Sequence, residues 1–488
     1  MDLRNIVDSD PNRFTSRPAS RPLGSRLEQF IGRPSAEWNA DDLVTLVRGQ
    51  GIRLVSLMHV GGDGWLKTLD FAPRDTAHLH AIFSGGERAD GSSLFPGLGI
   101  AAGTSDVVLR PRIATAFLDP FAPVPTLAVL CGHAGRDGHE LPQSPDTLIR
   151  RAHARLEHET GFSLHALGEV EYFLGRRVTP DDVYGATERG YHATAPFVFG
   201  EPLRRRALAI LSEMGVPVKY AHAEVGYVEP AENDSTLWEQ HEIELGLAPL
   251  PAAADAVVLT HWVLRNLARA EGLWCNFDPV LRRGHAGTGL HFHFSPVLRG
   301  EHQPTRDDAG RLTDPARWLI AALVTHGGAL MAFGNRLESS FIRVGQAKEA
   351  PSELTWGEFD RNALVRLPIV ARDAAGQAVS PPTIEFRLPD GSAHPHLLLA
   401  GVAQAMVAAR GAAGLDALLD ATASGRTSAG VARAEGGLGT AVRATAVPQS
   451  FGGIAVELAR LRVDFEAGDV FPQVLIDAVM GRLEAAEL

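Results

Sequence analysis

Residues 168–175, "GEVEYFLG", set two acids, Glu169 and Glu171, two positions apart inside an apolar run. In an extended strand the side chains at i and i+2 leave on the same face, so both carboxylates point one way. A half-exposed strand with its acids in water would satisfy that pattern, and the rest of the chain has to decide. The same spacing recurs in Glu242/Glu244 of "HEIEL", His291/His293 of "LHFHF" and Glu385/Arg387 of "IEFR". Solvent faces would mix in Thr, Ser, Lys and Gln. These segments use Glu, His and Arg instead, the residue types that bind hard cations and phosphate. Burying so many charges without partners is costly, so metal ions or a bound polyanion are expected on a polar face built from strands.

Carboxylate oxygens with a minority of imidazole suit Mg²⁺ or Mn²⁺ better than zinc, which prefers nitrogen and sulfur. His291-x-His293 alone also matches the two histidines of a metal-dependent amidohydrolase. That reading needs further His and Asp on later strands, and here those strands offer Glu and Arg. Arg343, Arg361, Arg366 and Arg387 lie in "SFIRVGQAKEAP", "FDRNALVRLP" and "IEFRLPD". Any single arginine, Arg361 above all, also reads as a surface ion pair. Divalent metals together with several arginines describe a phosphoryl-transfer site, where positioning and charge neutralisation dominate. There is no G-x-x-x-x-G-K-[ST] loop and no kinase Gly-rich loop, so a nucleotide would sit in a metal-lined cleft.

The 488 residues, 45% of them apolar, are enough for two or three domains, or one large one with an appendage. A net charge of −12 argues against nucleic acid or an anionic membrane as the main partner. No 18-residue apolar run and no apolar signal core appear, so no membrane partner is expected. Cys131 and Cys275 are the only cysteines, which suits a reducing cytoplasm. Residues 1–35, rich in Pro, Ser and Arg, read as a mobile arm. Residues 36–142 read as a small α+β module, with a helix passing into two strands joined by a Gly-Gly-Asp-Gly turn. Residues 143–488 alternate strands with long apolar helices. They open on "SPDTLIRRAHARLEHETG", with Ser144 or Asp146 as cap and Gly161 just past its end. The stretch "LDATASGRTSAGVARAEGGLG" reads as a surface loop, and no internal repeat is present.

The motifs "ADGSSL", "SDVVLRP", "DPF", "GEVEYFL", "HAEVG", "GTGLHFHFSP", "EAP", "DRNALVRLP" and "IEFRLPDGSAHPHL" follow one another in the order found in glutamine synthetases. From about residue 40 to its end the chain resembles that family. The resemblance implies an α+β fold: an N-terminal β-grasp domain, then a catalytic domain with a curved antiparallel sheet. It also implies a homo-oligomeric double ring, a dodecamer first, with sites shared between neighbours. The implied substrates are a small carboxylate, an amine and ATP, and the implied cofactor is Mg²⁺ or Mn²⁺. By the same resemblance Glu171, Glu224 and Glu242 would hold one metal, and Glu169, His291 and Glu385 the second. His293, Ser295 and Arg366 would lie near the nucleotide. Arg343 and Arg387, with Gly287 and Glu171, would meet the carboxylate substrate. Arg361 and Arg366 would face the transferred phosphoryl group. Glu349 would close the site and help take the proton from the attacking amine.

The departures cluster away from the metals. The family's Asn-Gly-Ser-Gly loop reads Ala286-Gly287-Thr288-Gly289, and its upstream Lys-Pro pair reads Val280-Leu281. The Asp that helps bind ammonium would fall near Gly61, with Asp63 displaced from it. Thr383 stands where an arginine is usual, and "YVEPAENDSTLW" lengthens the link between Glu224 and Glu242. The expected activity is therefore an ATP-dependent ligase that forms a γ-glutamyl or related amide from an amine larger than ammonia. Ordinary glutamine synthetase, a non-catalytic binding or regulatory homologue, and a guanidino-kinase-type phosphotransferase are the alternatives. The retained Glu349 argues against the last.

Overall fold

The computed structural model describes residues 24–100, 103, 105–179, 186–346, 350–424 and 445–487. By internal packing the chain divides into two compact units. The first runs to Thr147 and adds Arg205–Val218 and Val258–Asn266; the second holds the rest. A reading in contiguous blocks places the boundary near 142 and does not anticipate the two returning segments. Most of the expected N-terminal arm lies outside the described residues. Its end does not: Arg26–Ile31 form helix α1, capped by Ser25, with Leu27 buried.

In the first unit α2 (Ala40–Gly49) starts at a capping box, in which Asn39 accepts from the Asp42 N–H and Asp42 bonds back to the Asn39 N–H. Strands β1 (Leu54–Val60) and β2 (Leu66–Phe71) form the expected hairpin. Helix α3 (Thr76–Gly85), β3 (Glu87–Asp90), α4 (Gly91–Leu94), β4 (Asp106–Pro111), β5 (Phe117–Leu118) and β6 (Thr126–Ala134) follow. The sheet order is β2-β1-β6-β4-β3, with β1 and β6 parallel at its centre. A parallel central pair flanked by a hairpin fits the β-grasp expectation. Its core is aliphatic, built on Leu43, Val47, Val55, Leu57, Leu127 and Val129.

The second unit is organised by a ten-stranded sheet. Helix α5 (Pro145–Thr160) ends at Gly161, whose φ of 78° closes it as a left-handed cap. In chain order strand β7 (Ser163–Arg177) is followed by α6 (Glu201–Glu213), most of which belongs to the first unit, then β8 (Val218–Val228), β9 (Thr236–Leu245), β10 (Ala248–Pro249), α7 (Leu250–Ala270), whose Val258–Asn266 stretch also belongs to the first unit, and β11 (Trp274–Asn276). Then come β12 (Leu290–Leu298), β13 (Glu301–His302), α8 (Asp314–Gly334), α9 (Glu338–Gly345), β14 (Trp356–Glu358), β15 (Val365–Leu367) and β16 (Ile384–Phe386). Helices α10 (Pro395–Arg410), α11 (Leu415–Thr422), α12 (Phe451–Glu466) and α13 (Gln473–Glu487) complete the unit. Strand order is β14-β15-β16-β12-β7-β9-β8; β10 and β11 also pair with β7, and β13 with β12. The pairs that β7 makes with β9, β10, β11 and β12, and those of β12–β13, β12–β16 and β15–β16, are antiparallel, whereas β14–β15 is parallel.

The fold is α+β, and alternation along the strands sorts its chemistry. Val170, Tyr172, Ile243, Phe292, Phe294, Ile384 and Phe386 are all fully buried on one side, and the i, i+2 ionisable residues occupy the other. Helix α8 is long and apolar enough to cross a membrane by composition, but 83% of that window is buried inside the protein, as in a core helix. Replacing Phe292 with Ala should empty the apolar side of β12 and destabilise the second unit by roughly 3–5 kcal/mol. A lowered thermal midpoint of that unit is the check, and an unchanged midpoint would show that the ring is not part of the core.

Candidate active site

Strand register assembles the polar face. Glu169 stands opposite Glu244, and Glu171 opposite Glu242, across β7 and β9. His291 stands opposite Glu169 across β12 and β7. His293 faces Glu385 across β12 and β16, and Arg366 faces Glu385 across β15 and β16. Strand β8, beyond β9, adds His222 and Glu224. Directly opposed residues share a face, so the pairs form one ionisable stripe across six strands.

The stripe has two ends of different character. At one, Glu169 accepts from His291 Nδ1 at 2.9 Å and from His293 Nε2 at 2.8 Å. His293 Nδ1 lies 2.9 Å from the Thr383 hydroxyl, which occupies the position where an arginine was expected. Glu385, 1% exposed, is bound by Arg387 and lies 3.2 Å from Arg366 and 3.7 Å from His291. At the other end, His222 lies 3.5 Å from Glu224 and 3.4 Å from Glu242. Between them, Glu171 accepts from the Gly289 N–H at 2.6 Å and from Gln240 Nε2 at 3.0 Å. The long link between Glu224 and Glu242 is absorbed by the β8–β9 connection and leaves both acids within reach of His222.

Electrostatics separate the two ends. Burial opposes ionisation of Glu169, but the charge of His293 and the hydrogen bonds from both histidines outweigh it. The carboxyl is held well below the usual carboxylate range. For His293 burial favours the neutral form, and the charge and hydrogen bond of Glu169, with Glu385 and Glu244, push it up to about 9 instead. Glu224 is pushed up to about 8 by burial and by the charges of Glu171 and Glu242. Burial, Glu169 and Glu171 push Glu242 well above its usual range, and burial raises Glu171 too. Donor atoms of Glu169, His293 and Glu385 converge, as do those of His222, Glu224 and Glu242, and those of Glu169, Glu242 and Glu244. Crowded, buried carboxylates held toward the protonated form, with imidazole as the minority donor, fit a hard divalent cation.

Beside the stripe lies a cavity of about 260 Å³ lined by Glu171, Glu188, Glu224, Gln240, Gly287 and Arg343, among others. Arg343 reaches it from α9, 5% exposed, and donates to the Leu388 carbonyl. Gly287 is required there: a Cβ would stand 2.9 Å from the Arg343 side chain and 3.0 Å from the Pro279 carbonyl. Four rings gather beside Glu224. Tyr191 stacks on His192 at 4.3 Å, both rings meet His222, and Tyr220 stacks on His222 at 5.9 Å. Tyr191 and Tyr220 are 53% and 44% exposed, an open aromatic wall.

The structure thus brings Glu169, Glu171, Glu224, Glu242, His291, His293, Glu385 and Arg366 into one stripe, with Arg343 and Gly287 at the adjoining cavity. Arg387 is 3% exposed and bonded to Glu385 and the Arg361 carbonyl, so it supports the stripe and is not a cavity wall. The exposed Arg361 lies within electrostatic range of Tyr191. Ser295 is fully buried and bonded to His302 rather than to a stripe residue. Glu349 lies outside the described residues. Asp63 is engaged in its own hairpin, taking Lys67 Nζ at 2.7 Å and the Trp65 N–H at 3.0 Å. Sequence reasoning missed His222, although His222/Glu224 repeats the i, i+2 spacing of the other pairs. It also missed Glu188 and Gln240, whose partners are distant in sequence and leave no local signal.

Residues 142–436 match the family model described as glutamine synthetase, catalytic domain. The glutamine synthetase of Thermus thermophilus is 32% identical over 347 residues, covering 67% of this chain and 71% of that one. Among solved structures, glutamine synthetase of Plasmodium falciparum superposes with a TM-score of 0.74 at 16% identity, covering 92% of this chain and 95% of the other. A structure described as a GmaS/ADP complex superposes with a TM-score of 0.68 at 17% identity, covering 91% and 95%.

The Glu224 end of the stripe sets a pH dependence. In the metal-free protein Glu224 keeps its proton up to about pH 8, whereas its ordinary value is 4.5. The folded state then binds more protons than the unfolded state between those values, so this group's contribution to stability is lost as pH rises through that window. A divalent cation must displace the proton, so excess Mn²⁺ should raise the thermal midpoint more at about pH 8 than at about pH 6. A Mn²⁺ increment that is flat or falls with pH would contradict the assignment of this cluster to a cation.

Proposed function

The chain belongs to the glutamine synthetase family, and from that premise we propose an ATP-dependent ligase that forms a γ-glutamyl or related amide from an amine larger than ammonia. The observation that carries the reading is the stripe of buried carboxylates and imidazoles with arginines at one margin and a polar cavity alongside. Glu171, Glu224 and Glu242, joined by His222, would hold one Mg²⁺ or Mn²⁺. Glu169, His291 and Glu385, with His293 converging on the same point, would hold a second. Bound cations would neutralise charge on the phosphates of ATP.

The chain's own groups supply the rest. Arg343 receives a carboxylate in the cavity, and the Gly287 backbone can approach because no Cβ intervenes. The substrate's reacting carboxylate oxygen attacks the terminal phosphorus of ATP, the bond to ADP breaks, and an acyl phosphate forms. Arg366, at the stripe margin, and Arg361 face the phosphoryl group as it transfers. The amine nitrogen then attacks the carbonyl carbon, the bond to phosphate breaks, and the amine's surplus proton passes to a carboxylate, the role proposed for Glu349. Excluding water matters, because an acyl phosphate would otherwise hydrolyse. His293 and Ser295 stand as the proposed nucleotide side, with Ser295 acting through His302. Arg387 holds Glu385 in place.

The larger amine is supported by Ala286 in place of the family's Asn, by the engagement of Asp63 within its own turn, and by the open wall of Tyr191, His192, His222 and Tyr220 beside Glu224. Rings flanking carboxylates suit an organic ammonium, whose cation meets the acids while its body lies on the aromatic faces. A double ring of identical subunits, a dodecamer first, is proposed from the family likeness. A cytoplasmic setting is proposed too, and a chain whose two cysteines, Cys131 and Cys275, form no disulfide suits it.

Phosphate release with ATP, glutamate and a panel of organic amines, set against ammonia, tests the reading. Organic amines should be preferred by about tenfold or more in kcat/KM, about 1.4 kcal/mol of transition-state discrimination. Turnover as fast with ammonia alone would restore ordinary glutamine synthetase. Glu169→Ala should abolish ATP turnover with every amine, and a variant retaining it would sink the placement of the second cation.

A further inference from the structure

We propose that Glu188 reads a positive charge on the acid substrate, so that the cavity selects an amino acid over the corresponding simple diacid; this rests on the ligase reading above. Glu188 has a φ of 56°, in the left-handed region that non-glycine residues seldom enter. Its conformation is imposed by backbone bonds along the outer edge of β8. The Glu188, Gly190 and His192 N–H groups donate to the carbonyls of Tyr227, Val225 and Ala223 at 3.4, 3.1 and 2.8 Å. Gly190 must be glycine, since a Cβ would stand 2.5 Å from the Glu224 carbonyl. The result turns the Glu188 side chain into the cavity wall. There one carboxylate oxygen accepts from the Ala286 N–H at 2.9 Å and the other pairs with His285 Nδ1 at 3.2 Å.

Three carboxylates line this cavity, and they are not equivalent. Glu171 and Glu224 belong to the cation stripe, where a bound ion would take up their charge. Glu188 enters none of the convergent metal-type groups among the described residues. With the stripe loaded, the cavity offers one guanidinium, Arg343, and one carboxylate whose charge no metal neutralises. That pair complements a dipolar ligand, with carboxylate toward Arg343 and ammonium toward Glu188. The loop that carries Ala286 in place of the family's Asn is thereby held by Glu188, so the same side chain both positions the loop and faces the ligand.

Calorimetric binding of L-glutamate and of glutarate, which lacks only the amino group, tests this on the full chain with Mn²⁺ present. The native protein should bind glutamate about ten- to hundredfold more tightly. Glu188→Gln keeps an oxygen acceptor for the Ala286 N–H and removes only the charge. It should erase most of that preference and leave glutarate affinity unchanged. Equal weakening of both ligands would reduce Glu188 to a loop clamp and overturn the proposal, as would a native protein without preference or a variant that keeps it. Phosphate release measured in parallel separates the two claims: an intact, Glu188-dependent preference without turnover would overturn the ligase and leave this inference standing.

Discussion

Strand alternation in β7, β9, β12 and β16 is the constraint on which the site depends. Over the residues that build the site, each strand sends aromatic and aliphatic side chains to one face and ionisable ones to the other, so packing one face presents the other. Glu239 and His241 of β9 lie on the apolar side and pair with each other there. A slip of one residue in β12 would turn Phe292 and Phe294 toward Glu169 and bury His291 and His293 among the helices. The cost of that exchange locks the register, and the register brings Glu169, His291, His293 and Glu385 together. The geometry of the candidate site is thus held by the same burial that holds the sheet.

Charge then differentiates residues that are chemically alike. Glu169 and Glu171 are neighbours on one strand, yet two imidazoles keep the first ionised while burial pushes the second toward its proton. At β8 and β9, the charges of Glu224 and Glu242 oppose each other's ionisation, and His222 lies within 3.5 Å of Glu224 and 3.4 Å of Glu242. A stripe of this kind is under electrostatic tension in the metal-free state, and divalent cations would relieve it. The arginines are arranged differently: Arg366 and Arg387 hold Glu385, while Arg343 lines the cavity, donating to the Leu388 and Arg387 carbonyls with its guanidinium 3.3 Å from His291 Nε2.

Much of this was legible beforehand. Glu169, Glu171, His291, His293 and Glu385 stand out because period-two spacing is local, and any strand displays it. The same reading was available at His222/Glu224, where an intervening Ala and an adjoining polar stretch obscured the strand. Glu188 carried no such mark. It sits in an irregular segment, and its partners His285 and Ala286 are nearly a hundred residues away. Arg387 shows the opposite limit: its sequence position marks it as belonging to the site, but only packing reveals that Glu385 and a backbone carbonyl already occupy it.

Residue order and type were enough to say which residues could share a face, which donors suit a hard cation, and, through nine ordered motifs, which family the chain resembles. Those are properties of residue type and short spacing, and they survive without knowledge of the fold. Folding in three dimensions is what settles which faces meet, which carboxylates crowd one another, and which lie outside the convergent metal-type groups. Such contacts join strands and loops far apart in the chain, and their energies depend on burial and on neighbours that no local pattern records.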